Sequence, residues 1–258
     1  MARDRQRAKR RKEKRQPSPP SREPGNGPVP EPRAIHRENV PGPVEHIGEV
    51  DQFEAELDEM LDEHNSFTSI VVWVPFNEGW GEWSRDDTGR IAEEVKAFDP
   101  SRLVNAHSGV NCCFSLGDSG KGDMIDFHQY VGPATPSPDS HRVSVDGEHG
   151  GLGLRVPGHM WFGDSSGHAY EMTPDEETLT RRYVENQRDV LTAANQCGIS
   201  GAVYTQLTDV EHEVNGFFTY DRRVQKMDFD QVRAVNDEVV RNAELPAVSP
   251  MTTAPGAP

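Results

Sequence analysis

Two glutamates in this chain stand where they could share one reaction. Glu78 closes the apolar run Ile70-Val71-Val72-Trp73-Val74-Pro75-Phe76-Asn77, and Glu148, 70 residues later, closes Arg142-Val143-Ser144-Val145-Asp146-Gly147. Short runs of β-branched and aromatic residues predict buried strands of a parallel sheet. A carboxylate at the C-terminal end of such a strand occupies the position from which α/β barrels do their chemistry. Two on different strands can flank one bond, one giving a proton to a leaving oxygen while the other attacks carbon, as glycoside hydrolysis with retention requires.

The elements that must position them follow a repeating strand–helix order. A helix is expected to open at Asp51, with Glu54 completing a capping-box-like start and Phe53, Leu57, Met60 and Leu61 on one face. A strand over 69–76 is followed by a helix over 86–98 that buries Ile91, Val95 and Phe98 and stops at Asp99-Pro100. Strands near 102–107, 124–128 and 142–147 come next, then a long loop. Thr173-Pro174-Asp175-Glu176 reads as a helix start with Thr173 as N-cap, and that helix ends before Gly198. A strand over 201–206 and a helix over 229–242 complete five βα periods, which predicts a parallel α/β architecture.

The segments around both glutamates resemble the catalytic blocks of glycoside hydrolase family 2, the β-galactosidase and β-glucuronidase relatives. The blocks are Val72-Trp73-Val74-Pro75-Phe76-Asn77-Glu78-Gly79-Trp80 and Gly147-Glu148-His149-Gly150-Gly151, joined by Tyr204-Thr205-Gln206 and Thr208-Asp209-Val210-Glu211-His212-Glu213-Val214-Asn215-Gly216. The resemblance runs from about residue 50 to about residue 240. It implies a (β/α)8 TIM barrel of which the five strands are the fourth to eighth, the first three strands and the preceding β-sandwich domains being absent. It also implies a carbohydrate substrate, with Glu78 as acid/base and Glu148 as nucleophile.

Supporting residues follow from their places. Asn77 suits a sugar hydroxyl. Asp126, His128 and Tyr130 alternate and so share a strand face; the resemblance turns that strand's end toward the sugar and lets Tyr130 bond the nucleophile, whereas a buried polar ladder is the plainer reading. Trp161 is either a platform for a sugar's C–H face or an ordinary loop aromatic. Trp73, Phe76, Trp80 and Trp83 are expected to give Glu78 the apolar setting that keeps an acid protonated. His128, His141, His149 and His159 with Asp118, Asp123 and Asp126 lack the spacing of a metal motif, so neither metal nor other cofactor is expected. Asp209, Glu211 and Glu213 alternate after the last strand; a cation or sugar hydroxyls are one reading and a solvated loop the preferred one.

Composition sets the boundaries. The net charge is −16 and the hydrophobic content 34%, yet residues 1–40 hold 12 Lys and Arg against 5 Asp and Glu. Residues 1–43 form a basic, Pro-rich segment with too little apolar surface to offset ordering entropy, and 246–258 is similar, leaving 44–245 as the folded part. The basic run at 9–15 has no interleaved aromatics and the body is acidic, so neither nucleic acid nor membrane is an expected partner. Three cysteines, Cys112, Cys113 and Cys197, argue against a disulfide scaffold. No apolar leader or span of ~20 residues is present, and a cytoplasmic location is the expectation. The open strand edges of a partial barrel predict an oligomeric or aggregation-prone chain. The competing reading is a non-catalytic remnant acting as a carbohydrate-binding or interaction module, or a mis-started gene fragment.

Overall fold

The computed structural model describes residues 46–164 and 166–243, so the segments read as tails, 1–43 and 246–258, lie outside the described residues. The chain divides into two units, Met1–Phe53 and Glu54–Pro258. Of the first, the described part is the opening of helix α1 (His46–His64); the site lies in the second. Asp51 is inside α1 rather than at its start, and Glu54 bonds Arg90 at 2.6 Å instead of closing a capping box.

Among the described residues there are four helices and seven short strands, a mixed α/β architecture with parallel strands in open sheets and no closed barrel. Strand β1 (Val72–Trp73) pairs with β2 (Leu103–Val104), and β3 (Met124–His128) pairs with β4 (Val143–Gly150), which pairs with β7 (Ile199–Thr205). Two backbone hydrogen bonds carry β2 onto β3: Asp123 N–H to Val104 O at 2.7 Å and Val110 N–H to Asp126 O at 3.0 Å. Among the described residues every pair of named strands is parallel. The stretch read as one long loop contains a further parallel pair, β5 (Leu152–Gly153) with β6 (Glu171–Met172).

The run at 69–76 shortens to two ladder residues, and on its C-terminal side Pro75 has no N–H to continue the ladder. Its partner strand still follows it: Asn105 N–H reaches Trp73 O and Ser108 N–H reaches Phe76 O, both at 2.9 Å. Helix α2 (Arg85–Phe98) starts at Ser84, whose hydroxyl accepts from Asp87 N–H, and buries Ile91, Ala92 and Val95. Helix α3 (Glu176–Cys197) is capped by Asp175, not Thr173. The Thr173 hydroxyl instead donates to Gly153 O at 2.8 Å, tying β6 to β5. At the other end Gly198, at φ 77°, closes α3 with a left-handed cap. Helix α4 (Phe229–Ala243) packs on α3 around Leu179, Tyr183, Met227, Val232 and Val235. Leu152 of β5 is part of this core, and Tyr204 of β7 packs against it.

Candidate active site

Glu78 and Cys112 lie in the segments that follow β1 and β2, His128 is the last residue of β3, and Glu148 lies near the C-terminal end of β4. Glu78 sits at φ 53°, in the left-handed region that costs a non-glycine residue about 1–2 kcal/mol. Its backbone is held on both sides, N–H to Ser108 O at 2.8 Å and O from Phe114 N–H at 3.0 Å. The next N–H, of Gly79, donates to Nε2 of buried His107 at 2.9 Å. His107 therefore carries its proton on Nδ1, 3.5 Å from Glu82 Oε1. That fold of the chain turns the Glu78 side chain toward β3.

Glu148 reaches the same place by another device. Register slips between Phe127 and His128, so that His128 opposes Glu148 and Gly147 is the extra residue of a bulge. Such bulges re-aim a side chain at a strand end. The Gly147 N–H donates to Asp126 Oδ1 at 2.9 Å, and a Cβ at Gly147 would meet Asp126 Oδ2 at 2.1 Å. Only glycine fits there.

The two carboxylates meet through Tyr130. Its hydroxyl donates to Glu148 Oε2 at 2.6 Å and lies 3.5 Å from Glu78 Oε1. Those two oxygens can be no further apart than the two distances laid end to end, which is below the roughly 6.5–9.5 Å spacing of inverting glycosidases. His128 makes a second bridge, its Nδ1 standing 2.8 Å from Glu78 Oε1 and 3.8 Å from Glu148 Oε1. Its other nitrogen is 2.7 Å from Ser108 Oγ, which in turn donates to Asp126 Oδ2 at 3.0 Å. Asn111 fixes the His128 backbone on both sides, accepting from its N–H at 2.8 Å and donating to its O at 3.0 Å. Asp126, Ser108, His128, Glu78, Tyr130 and Glu148 thus form one hydrogen-bonded chain.

The electrostatics differ from the expectation. The His128 hydrogen bond, with help from the Cys112 thiol, outweighs burial and lowers the Glu78 carboxyl to about 2. Desolvation raises Glu148, against the Tyr130 hydrogen bond and the His128 charge. Burial alone would push the His128 ring down, but the Glu78 bond and the charges of Glu148, Asp126 and Glu78 hold it above its ordinary value. The tryptophans do not supply an apolar setting, because they are engaged elsewhere. Trp73 donates its indole N–H to Asp99 at 2.9 Å, Phe76 and Trp83 pack edge to face on each other, and half-exposed Trp80 packs on Phe114.

Other predicted residues divide. Asn77 is exposed beside Glu78, its carbonyl accepting from Trp80 N–H at 2.8 Å. Trp161, 55% exposed, has its ring partners in Phe162 and Tyr220. The histidines and aspartates weighed as one metal set disperse: His149 pairs with Asn186, His159 with Asp221, Asp118 with Arg142 and Asp123 with Lys96. Asp209 is not in a solvated loop; it is buried and pairs with the fully buried Lys226 at 2.7 Å while accepting from Gly216 N–H. Glu213 accepts from Gln206 Nε2 at 2.7 Å, and its charge also helps raise Glu148.

Sequence reasoning missed four contributors. Cys112 donates its thiol to Glu78 Oε1 at 3.3 Å, His107 and Ser108 support the Glu78 turn, and Tyr170 stacks on Tyr130 at 3.4 Å with planes 6° apart. At the end of the stretch read as the strand 102–107, Asn105-Ala106-His107 and the Ser108 that follows carry a visible cue: polar residues continuing an apolar strand past its C-terminal end. No known protein family and no curated protein sequence matches the chain.

Proposed function

We propose that this chain is the later part of a (β/α)8 catalytic domain of the family 2 glycoside hydrolase type, hydrolysing a β-O-glycosidic bond with retention. The observation that carries the reading is the Tyr130 hydroxyl, which spans Glu148 and Glu78 and keeps one oxygen of each carboxyl closer than the roughly 6.5–9.5 Å spacing of inverting enzymes. The strand order supports it as well. Neighbours follow chain order along β1–β2 and β3–β4–β7, all parallel, with the site at their C-terminal ends, whereas a doubly wound sheet would reverse at a switch point.

In this reading Glu148 attacks the anomeric carbon and forms a glycosyl ester, with Tyr130 orienting its carboxylate. The leaving oxygen receives its proton from Glu78. Because Glu78 is held ionised at rest, the proton for that step sits on His128 Nδ1, 2.8 Å away. Passing it to Oε1 leaves a neutral imidazole and a protonated acid at the moment the leaving group needs one, so the acid is the His128–Glu78 couple. In the second step the couple takes a proton from the water that releases the sugar. Asn77 is placed to bond a sugar hydroxyl at the same strand end.

A second reading is favoured by the open sheets and the low Glu78 carboxyl: a fold that binds carbohydrate without turning it over. An aryl β-glycoside panel separates the two. Under the enzymatic reading Glu148→Ala abolishes turnover. Glu78→Ala retains most activity on substrates with acidic phenol leaving groups, and azide restores product release. Equal loss on all substrates without azide rescue would contradict the acid/base role.

A further inference from the structure

One ligand atom from each of Glu78, Cys112 and His128 lies within 4.8 Å of the other two, a set drawn from two loops and a strand end and without a sequence motif. We propose that these three residues form a binding site for a single thiophilic divalent cation, of which zinc is the type.

The geometry is close to what such an ion needs. With Zn–S near 2.3 Å and Zn–N and Zn–O near 2.0–2.2 Å, tetrahedral ligands lie about 3.3–3.6 Å from each other. The sulfur is 3.3 Å from Oε1 and the ring nitrogen 2.8 Å from it, so adjustments of a few tenths of an ångström to about 1 Å, small for side chains, would admit the ion. Glu148 Oε1, 3.8 Å from the same nitrogen, stands where a fourth ligand or a water would complete the set.

The surroundings favour a ligand role for His128. Ser108 gives its one hydroxyl proton to Asp126, so toward His128 its oxygen accepts and Nε2 carries hydrogen. Nδ1 faces the Glu78 carboxylate at 2.8 Å and holds the proton between them, and a cation that displaces that proton would be bound by both groups. The Nε2–Ser108–Asp126 relay is the outer arrangement by which metal-binding histidines are oriented. Thiol and imidazole together select a borderline or soft ion over magnesium or calcium. Occupied, the site would hold Glu78 as a ligand and withhold it from proton transfer. The binding claim itself does not depend on the glycosidase reading.

The test uses the full chain stripped with a chelator, titrated with zinc by calorimetry and with cobalt by absorption. One ion per chain is expected, with a sulfur-to-cobalt charge-transfer band in the near ultraviolet. Cys112→Ser should abolish that band and weaken zinc binding by more than the roughly 10–100-fold that loss of an outer partner costs. Glu78→Gln should weaken binding while keeping the band, and Cys197→Ser should change neither. Because Cys112 is only half-buried, its serine variant tests the site without removing the buried His128 ring. A native chain that takes up no zinc, or a Cys112→Ser variant that binds it with native affinity, would overturn the proposal.

Discussion

Tyr130 donates its hydroxyl to Glu148 over 2.6 Å while its ring lies flat against Tyr170. The stacking fixes the ring, and the ring aims the hydroxyl. Tyr130→Phe keeps the stacked pair but removes the donor, so the Glu148 carboxyl should move further above its ordinary value. A hydrogen bond to a charged group contributes about 1.5–3 kcal/mol, so kcat/KM on an activated aryl glycoside should fall by roughly tenfold or more, with the fold unchanged. A Tyr130→Phe variant with native rates would remove this residue from the mechanism.

Gly147→Ala tests the bulge that aims Glu148. The added methyl would occupy space held by the Asp126 carboxylate, which also anchors Asn105 and Ser108. Overpacking and loss of that buried network should destabilise the chain by about 1–3 kcal/mol, read as a lower midpoint in urea unfolding. An unchanged midpoint would mean that the strand relaxes freely around position 147.

Asp146 gives the pH dependence a sign. It is fully buried, and burial raises its carboxyl to about 7, with Oδ2 accepting from Ala134 N–H and Oδ1 lacking a hydrogen-bond partner. An acid raised in the fold binds its proton there when the unfolded chain has already released it. Native stability from this group therefore falls as pH rises from the ordinary carboxylate value to about 7, by about 1.4 kcal/mol per unit, and levels off above. Asp146→Asn mimics the protonated form. Its stability relative to the native chain should climb across that window in urea titrations at stepped pH; a difference independent of pH would contradict the buried-acid account.

Much of this arrangement was legible in the residues. Helix α2, strand β3 and the stop of α3 at Gly198 follow from periodicity, capping and glycine, all local signals. The meeting of Glu78, His128, Tyr130 and Glu148 could be anticipated because alternation and strand ends specify direction. The ionisation pattern could not. Whether Glu78 meets a tryptophan or a histidine depends on the left-handed turn at Glu78 and the bulge at Gly147, which are set by tertiary hydrogen bonds. Cys112 was hidden for a similar reason, since its neighbour in space is 34 residues away in sequence. The buried Asp209–Lys226 pair joins two loop segments whose charge alone suggested solvent.

The open sheets carry a consequence for association. Val71 on β1's approach is 67% exposed, Val203 in β7 61% and Leu207 beyond it 66%. Apolar, unpaired strand edges template pairing with other chains. The chain expressed alone should therefore elute as oligomers or aggregate by size-exclusion chromatography with light scattering. Val71→Lys with Val203→Lys should shift it toward monomer. A cooperatively melting native monomer would contradict this view of the edges.

The most direct test of the catalytic claim is covalent trapping. A panel of 2-deoxy-2-fluoro β-glycosides with dinitrophenyl leaving groups asks for one half-reaction and no acid, so it reads the nucleophile even where turnover is slow. Incubation followed by peptide mass spectrometry should place one fluorosugar on Glu148, in the native chain and in Glu78→Ala alike, and none in Glu148→Ala. Labelling of another residue, or no labelling by gluco, galacto, manno or glucurono reagents, would contradict the assignment of Glu148 as the nucleophile of a retaining glycosidase.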